Sequence, residues 1–189
     1  MKRQRPPETG FSTIELVVVA AIITILAATA VPLGLALLQR QRLNAVALGL
    51  AGWLEQVRSA SLRGNGCEVA ILPGADHSGS AVLAQINSTA TPNCSVSEPF
   101  RLPQDVGGDR FSLAMSPAAN FSFTPLGTKW PTTDVTITIS GNGYADGMAR
   151  CVRLRGMVGA LEVGPVNGGA CEEGPIEPCA TVAAARDSR

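Results

Sequence analysis

Between Phe11 and Leu38 the chain reads FSTIELVVVAAIITILAATAVPLGLALL, and Glu15 is the only ionisable side chain in that run. The run is longer than the roughly 20 residues a helix needs to cross a bilayer. It therefore predicts a helix buried in lipid or in other apolar helices. A lone carboxylate is costly in such surroundings, so Glu15 requires a partner. Lys2, Arg3 and Arg5 precede the run, and a basic flank favours the cytoplasmic side. Arg40 and Arg42 on the far side weaken that bias. Two general readings follow from the run alone. One is a plain membrane anchor. The other is a secretory signal removed after Ala30, because Ala28-Thr29-Ala30 has the small residues of a signal-peptidase site.

A finer pattern adds a third reading. Gly10-Phe11-Ser12-Thr13-Ile14-Glu15-Leu16, with Pro32 further on, resembles the class III signal of type IV prepilins and type II secretion pseudopilins. The resemblance implies that a prepilin peptidase cuts between Gly10 and Phe11 and that the new amine on Phe11 is methylated. Glu15 then becomes the fifth residue of the mature chain and Pro32 the twenty-second, both positions the family uses. It further implies a single-pass protein of the bacterial inner membrane with its C-terminal domain in the periplasm, which later joins a pilus or pseudopilus. The implied partners are other pilins or pseudopilins, the peptidase and the inner-membrane assembly platform. The amine at Phe11 would lie one helical turn from Glu15. It could pair with Glu15 of its own chain or of a neighbour, and the resemblance implies the neighbour. Removal of residues 1–10 would leave 12 basic and 14 acidic side chains, a net charge of −2.

Beyond Leu38 the apolar residues thin to one stripe. Leu43, Val46, Ala47, Leu50, Leu54 and Val57 recur at steps of three and four, with Gln39, Arg40, Arg42, Asn44, Gln56 and Ser59 mostly between them. This is an amphipathic helix with one buried face. Trp53 reads as a packing residue. The helix is expected to stop near Gly64-Asn65-Gly66, where glycine accepts the left-handed cap, and Pro32 is expected to kink it or open its bonds locally.

Past Gly66 short strand-like runs alternate with turns: CEVAIL, AVLAQI, RFSLAM, NFSFTP, DVTITIS, RCVRLR and GALEVG. In DVTITIS, Val135, Ile137 and Ile139 fall on one face. In RCVRLR, Val152 and Leu154 oppose Arg153 and Arg155, and Gly156-Met157 marks a tight reversal. The fold class expected is α+β: a long N-terminal helix, hydrophobic then amphipathic, packed on an antiparallel β domain. The expected divisions are a leader at 1–10, a helix at 11–63 (11–38 in membrane or filament core, 39–63 amphipathic) and a β-rich domain at 64–189. The stretches FSFTPLGTKW, DVTITIS and RCVRLRGMVGALEVG resemble the C-terminal domain of GspH/FimT-type minor pseudopilins, with Phe123-Thr124-Pro125-Leu126-Gly127 as the F-x-P-x-G element. The usual Gly-Arg of the closing hairpin is replaced here by Gly156-Met157. The tail from Gly164 onward, rich in Gly, Pro and Ala, reads as irregular.

Five cysteines, with no C-x-x-C and a single histidine, exclude zinc spacing and point to disulfides in an oxidising compartment. Two bridges with one cysteine over is the simplest count; pairing nearest neighbours joins Cys67 to Cys94 and Cys151 to Cys171, and the sequence does not decide which cysteine is odd. No catalytic constellation, P-loop, dinucleotide fingerprint or metal motif is present, so neither an enzyme nor a metal or cofactor is expected. His77, in GADHSGS, reads as a solvated loop histidine, and Asp105, Asp109 and Asp146 as turn residues. Zero net charge gives no global attraction to nucleic acid. Arg150, Arg153 and Arg155, together with Lys129, are the candidate DNA contacts of an uptake pilin. No aromatics interleave with them, and Glu162, Glu172 and Glu173 oppose their charge.

Overall fold

The structure, a computed structural model, describes residues 12–172 apart from 65, 93, 97, 107 and 145–147; the side chains at 29, 30, 32 and 33 are likewise outside the description. Gly10, Phe11, the side chain of Pro32, Asn65, Asp146, Glu173 and Cys179 therefore lie outside the described residues.

One helix, α1 (Thr13–Ser61), is followed by eleven strands. It runs without interruption through position 32. The chain divides after Leu38 into two compact units. In the first, Leu16 N–H donates to Ser12 O at 3.2 Å and closes the opening turn. Val17, Val18 and Val19, at successive steps of about 100° around the axis, are each about half exposed or more. The apolar character therefore goes round the helix instead of favouring one side. Among the described residues, no helix is long and apolar enough to cross a membrane.

The second unit is α+β. Its strands are β1 (Cys67–Ile71), β2 (Gly74–His77), β3 (Val82–Ile86), β4 (Phe100–Arg101), β5 (Phe111–Ser116), β6 (Phe121–Phe123), β7 (Lys129–Trp130), β8 (Val135–Gly141), β9 (Ala149–Arg155), β10 (Ala160–Asn167) and β11 (Ala170–Cys171). They form a five-stranded sheet, β4-β3-β1-β6-β7, and a six-stranded sheet, β11-β10-β9-β8-β5-β2. Every pairing is antiparallel. Register follows the side-chain alternation. Val135, Ile137 and Ile139 of β8 are buried, and Val135 and Ile137 lie opposite the buried Leu154 and Val152 of β9.

The amphipathic stripe is the third layer of this core. Leu43, Val46, Ala47, Leu50, Leu54 and Val57 are all buried, in one cluster with Phe121 and Phe123 of the first sheet and Phe111, Ile137 and Val152 of the second. Full burial of side chains of this size contributes about 1.5–3 kcal/mol each before chain entropy is counted. Trp53 packs beside Phe100, ring centroids 6.5 Å apart, and its indole N–H donates to Glu98 O at 3.0 Å. Packing satisfies both ends of this side chain, as expected of a core tryptophan.

Three expectations need correction. The tail does not become irregular at Gly164: residues 164–167 complete β10, and Ala170 and Cys171 pair back onto it. His77 is not on a solvated loop. It ends β2, opposite Phe111, and its Nε2 is buried without a hydrogen-bond partner. Gly74 makes room for the ring, since a Cβ there would sit 2.8 Å from Nε2. Lys129 is not a surface cation either. It is 1% exposed, and its ammonium donates to Pro131 O and Thr133 O. Burial pushes its pKa below the ordinary lysine value.

Candidate functional site

Glu15 sits in the first turn of α1, with its side chain exposed. A carboxylate in this position faces the N–H groups that the first turn leaves without helical partners, and the positive end of the helix dipole. Around it Ile14, Leu16 and Val17 are each more than 60% exposed. The arrangement offers one charge among exposed apolar side chains.

The three arginines proposed for DNA do not form one patch. Arg150 lies on the helix side of β9, where its Nε donates to Asn44 Oδ1. Burial, and then the neighbouring Arg40, hold its pKa below the ordinary arginine value. Strand parity places Arg153 and Arg155 on the opposite face, and both are engaged there. Arg153 pairs with Asp134 at 2.7 Å and Arg155 with Glu162 at 2.8 Å. Asp134 also accepts the Gly156 N–H at 2.7 Å. That bond and the Arg153 guanidinium hold its carboxyl below the ordinary aspartate value. The charges facing outward from β9 are thus met within the domain. These three arginines therefore do not form a row of cations with which to follow a phosphate backbone.

The F-x-P-x-G element turns between β6 and β7 and closes on the end of α1. Phe123 is fully buried. Thr124 N–H donates to Thr128 O and Gly127 N–H to Thr124 O, each at 2.8 Å. Gly127 has φ +74°, and a Cβ there would meet Leu62 Cδ2 at 2.9 Å. The carbonyls of the turn receive the helix end: Arg58 Nε donates to Gly127 O at 3.0 Å, and Ser61 Oγ to Thr124 O at 3.1 Å. Beyond α1, Arg63 N–H donates to Ala60 O at 3.1 Å and Gly64 N–H to Ser61 O at 3.3 Å, and Gly66 is buried with a positive φ. The sequence marked this element as a turn, but its partnership with Arg58 and Ser61 had no signal in either stretch alone.

Nearer the start of this unit, Arg42 Nη1 pairs with Asp109 Oδ2 at 2.6 Å, and Tyr144 O–H donates to the same oxygen at 2.7 Å. Burial and the Asp109 carboxylate push the Tyr144 phenol up to about 12. Asp109 is therefore a link between helix and sheet as well as a turn residue. Cys67 is bonded to Cys94 and Cys151 to Cys171. The first bridge ties β1 to the loop before β4, and the second ties β9 to the last strand. Among the described residues, no group of three or more His, Cys, Asp or Glu is placed to hold a metal ion.

No family model matches the chain, and no curated protein does. Among solved structures, two crystal forms of the type IV minor pilin FimU of Pseudomonas aeruginosa are similar, at 23% identity in each case. One aligns 67% of this chain with 90% of that chain at a TM-score of 0.47, the other 65% with 93% at 0.44. A likeness of this strength assigns no function.

Proposed function

We propose that the chain is a minor pilin or pseudopilin, a structural subunit that joins a type IV pilus or type II secretion pseudopilus through its N-terminal helix. The observation that carries this reading is Glu15, alone among exposed apolar side chains in the first turn of α1. The same helix continues into a stripe that is core to an α+β domain. In this reading the prepilin peptidase cuts between Gly10 and Phe11, and the amine so formed pairs with Glu15 of a neighbouring subunit. That pairing offsets the cost of a carboxylate in apolar surroundings and sets the axial register. The apolar run would hold the precursor in the inner membrane before assembly. The protein's work is non-covalent.

The test is intact mass and N-terminal sequencing of the full chain recovered from membranes, with and without a prepilin peptidase. The expected result is a chain that begins with N-methylated Phe11 only when the peptidase is present. A chain beginning at Val31 would show ordinary secretion, and an intact N-terminus in both samples would show a plain anchor. As a second arm, Glu15→Ala should be processed yet be lost from sheared filaments; normal incorporation would overturn the role given to Glu15.

A further inference from the structure

The second sheet ends on an open stretch. β10 pairs with β9 from Ala160 to Pro165, but its other side meets only the two residues of β11, at Val166 and Asn167. One further bond continues that ladder: Glu172 N–H donates to Pro165 O at 3.0 Å. Backbone groups alternate in direction along a strand. Val163 and Leu161, two and four residues before Pro165, therefore turn their N–H and C=O groups to the same side as its carbonyl. Among the described residues nothing bonds to them there. Both side chains are half-buried and packed against the core. An open edge beside an apolar face is a template for another strand.

The direction of the chain says what can reach it. Gly168 and Gly169, at φ +57° and +83°, reverse the chain in a two-residue hairpin. The Cys151–Cys171 bridge then pins the returning strand across β10. At Glu172 the chain thus runs antiparallel to β10, beside it, toward Val163 and Leu161. Residues from 173 onward lie outside the described residues; their sequence opens Glu173-Gly174-Pro175-Ile176-Glu177-Pro178. Val166 faces Cys171. Continued in that register, Gly174 falls opposite Val163, Pro175 opposite Glu162 and Ile176 opposite Leu161. Bonded and non-bonded pairs alternate along such a ladder. Gly174 and Ile176 take bonded positions, whereas Pro175, which lacks an N–H, takes one where none is needed. The side chains alternate to match. Gly174 and Ile176 share the core face with Val163 and Leu161, and Glu173, Pro175 and Glu177 share the outer one. Pro178 falls opposite Gly159, just past the end of β10.

We infer that the open edge of β10 is the docking site of the chain's own residues 173–177, which lengthen β11 and close the sheet by strand addition. The inference does not depend on the pilin reading. Its consequence is protective: with this segment in place, Leu161 and Val163 are closed to strands of other chains.

The test is amide hydrogen exchange, read residue by residue by NMR on the full chain in detergent micelles. The expected result is slow exchange at Leu161 and Val163, faster by at least about tenfold when the chain is stopped after Glu172. Glu162 and Gly164, whose N–H groups alternate toward β9, should be unchanged. Two substitutions read the register without shortening the chain. Gly174→Pro removes a bonded N–H and should release Val163 as the truncation does. Glu173→Pro, at a position whose N–H faces away from β10, should not. Equal exchange at Leu161 and Val163 with and without the tail would overturn the inference. So would protection that survives Gly174→Pro, or protection that rises with protein concentration, which would put a second copy on the edge.

Discussion

Tyr144 is the only tyrosine of the chain, which makes one buried junction directly readable. Its phenol donates to the Asp109 carboxylate and is half-buried beside Phe111, with ring centroids 6.1 Å apart. The neutral phenol is therefore favoured in the fold, and its pKa is about 12 instead of the ordinary 10. The sign follows: the folded state holds this proton more tightly than the unfolded chain, so the stability it contributes is whole below pH 10 and falls as pH rises toward 12. Ultraviolet titration of the phenolate should show a midpoint near 12, and Asp109→Ala should bring it down toward 10. A wild-type midpoint at 10 would contradict the junction. Gly127 is a second single-residue test. Alanine would have to hold φ +74°, a conformation that costs an L-residue about 1–2 kcal/mol. Chemical denaturation of Gly127→Ala should show a loss larger than that, because a Cβ there would also meet Leu62 Cδ2 at 2.9 Å, whereas Gly79→Ala, at φ +60° with open space around it, should lose only the backbone part.

At the scale of elements, the two disulfides divide the labour of holding loops. The Cys67–Cys94 bridge spans 27 residues and ties a long, strand-poor connection to β1. Cys67→Ser with Cys94→Ser should cost about 3 kcal/mol in thermal or denaturant unfolding, by the loss of a constraint on the unfolded chain. An unchanged midpoint would mean that hydrogen bonds such as those of Trp53, Asn87 and Thr91 suffice to hold the loop. Strong periodicity made much of this architecture legible beforehand. The stripe from Leu43 to Val57 and the alternation of Val135, Ile137 and Ile139 name their own faces, because a buried face leaves a period in the residues that line it. What escaped had no period to show. β4, β7 and β11 are two residues long. β2 consists of Gly-Ala-Asp-His, poor strand formers placed by the hydrogen bonds of β5 and by Asn142 and Ser112, whose side chains donate to Ala75 O. Lys129 gave no warning of burial, because its partners are carbonyls created by the following turn. Arg150 did leave a signal: strand parity sets it with Val152 and Leu154, against Arg153.

For the whole molecule, the division after Leu38 makes a prediction about independence. The second unit owns its core, both described disulfides and all eleven strands. A chain starting at Gln39 should fold alone and melt cooperatively. It should remain in solution without detergent, unlike the full chain, whose first unit exposes apolar side chains round its circumference. Size-exclusion chromatography and circular dichroism would check this; a molten or aggregated product would show that the first unit is needed for folding. The reading of the N-terminal segment rests on residue types in fixed register, which the sequence itself carries. The open edge of β10 left no such trace, because only the pairing order shows which stretch of the strand lacks a described neighbour.

The fastening of α1 to the β domain has a mechanical consequence. Its attachments are spread along the helix: Arg42 to Asp109, Asn44 to Arg150, Trp53 to Glu98, Arg58 to Gly127 and Ser61 to Thr124. A pull applied along the axis from the Gln39 side loads these links together, in shear, instead of peeling them one by one. The buried side chains between them would have to slide past both sheets at the same time. Tension transmitted through the helix is thus shared over its last six turns, and the joint should yield at a single high force without a series of small slips.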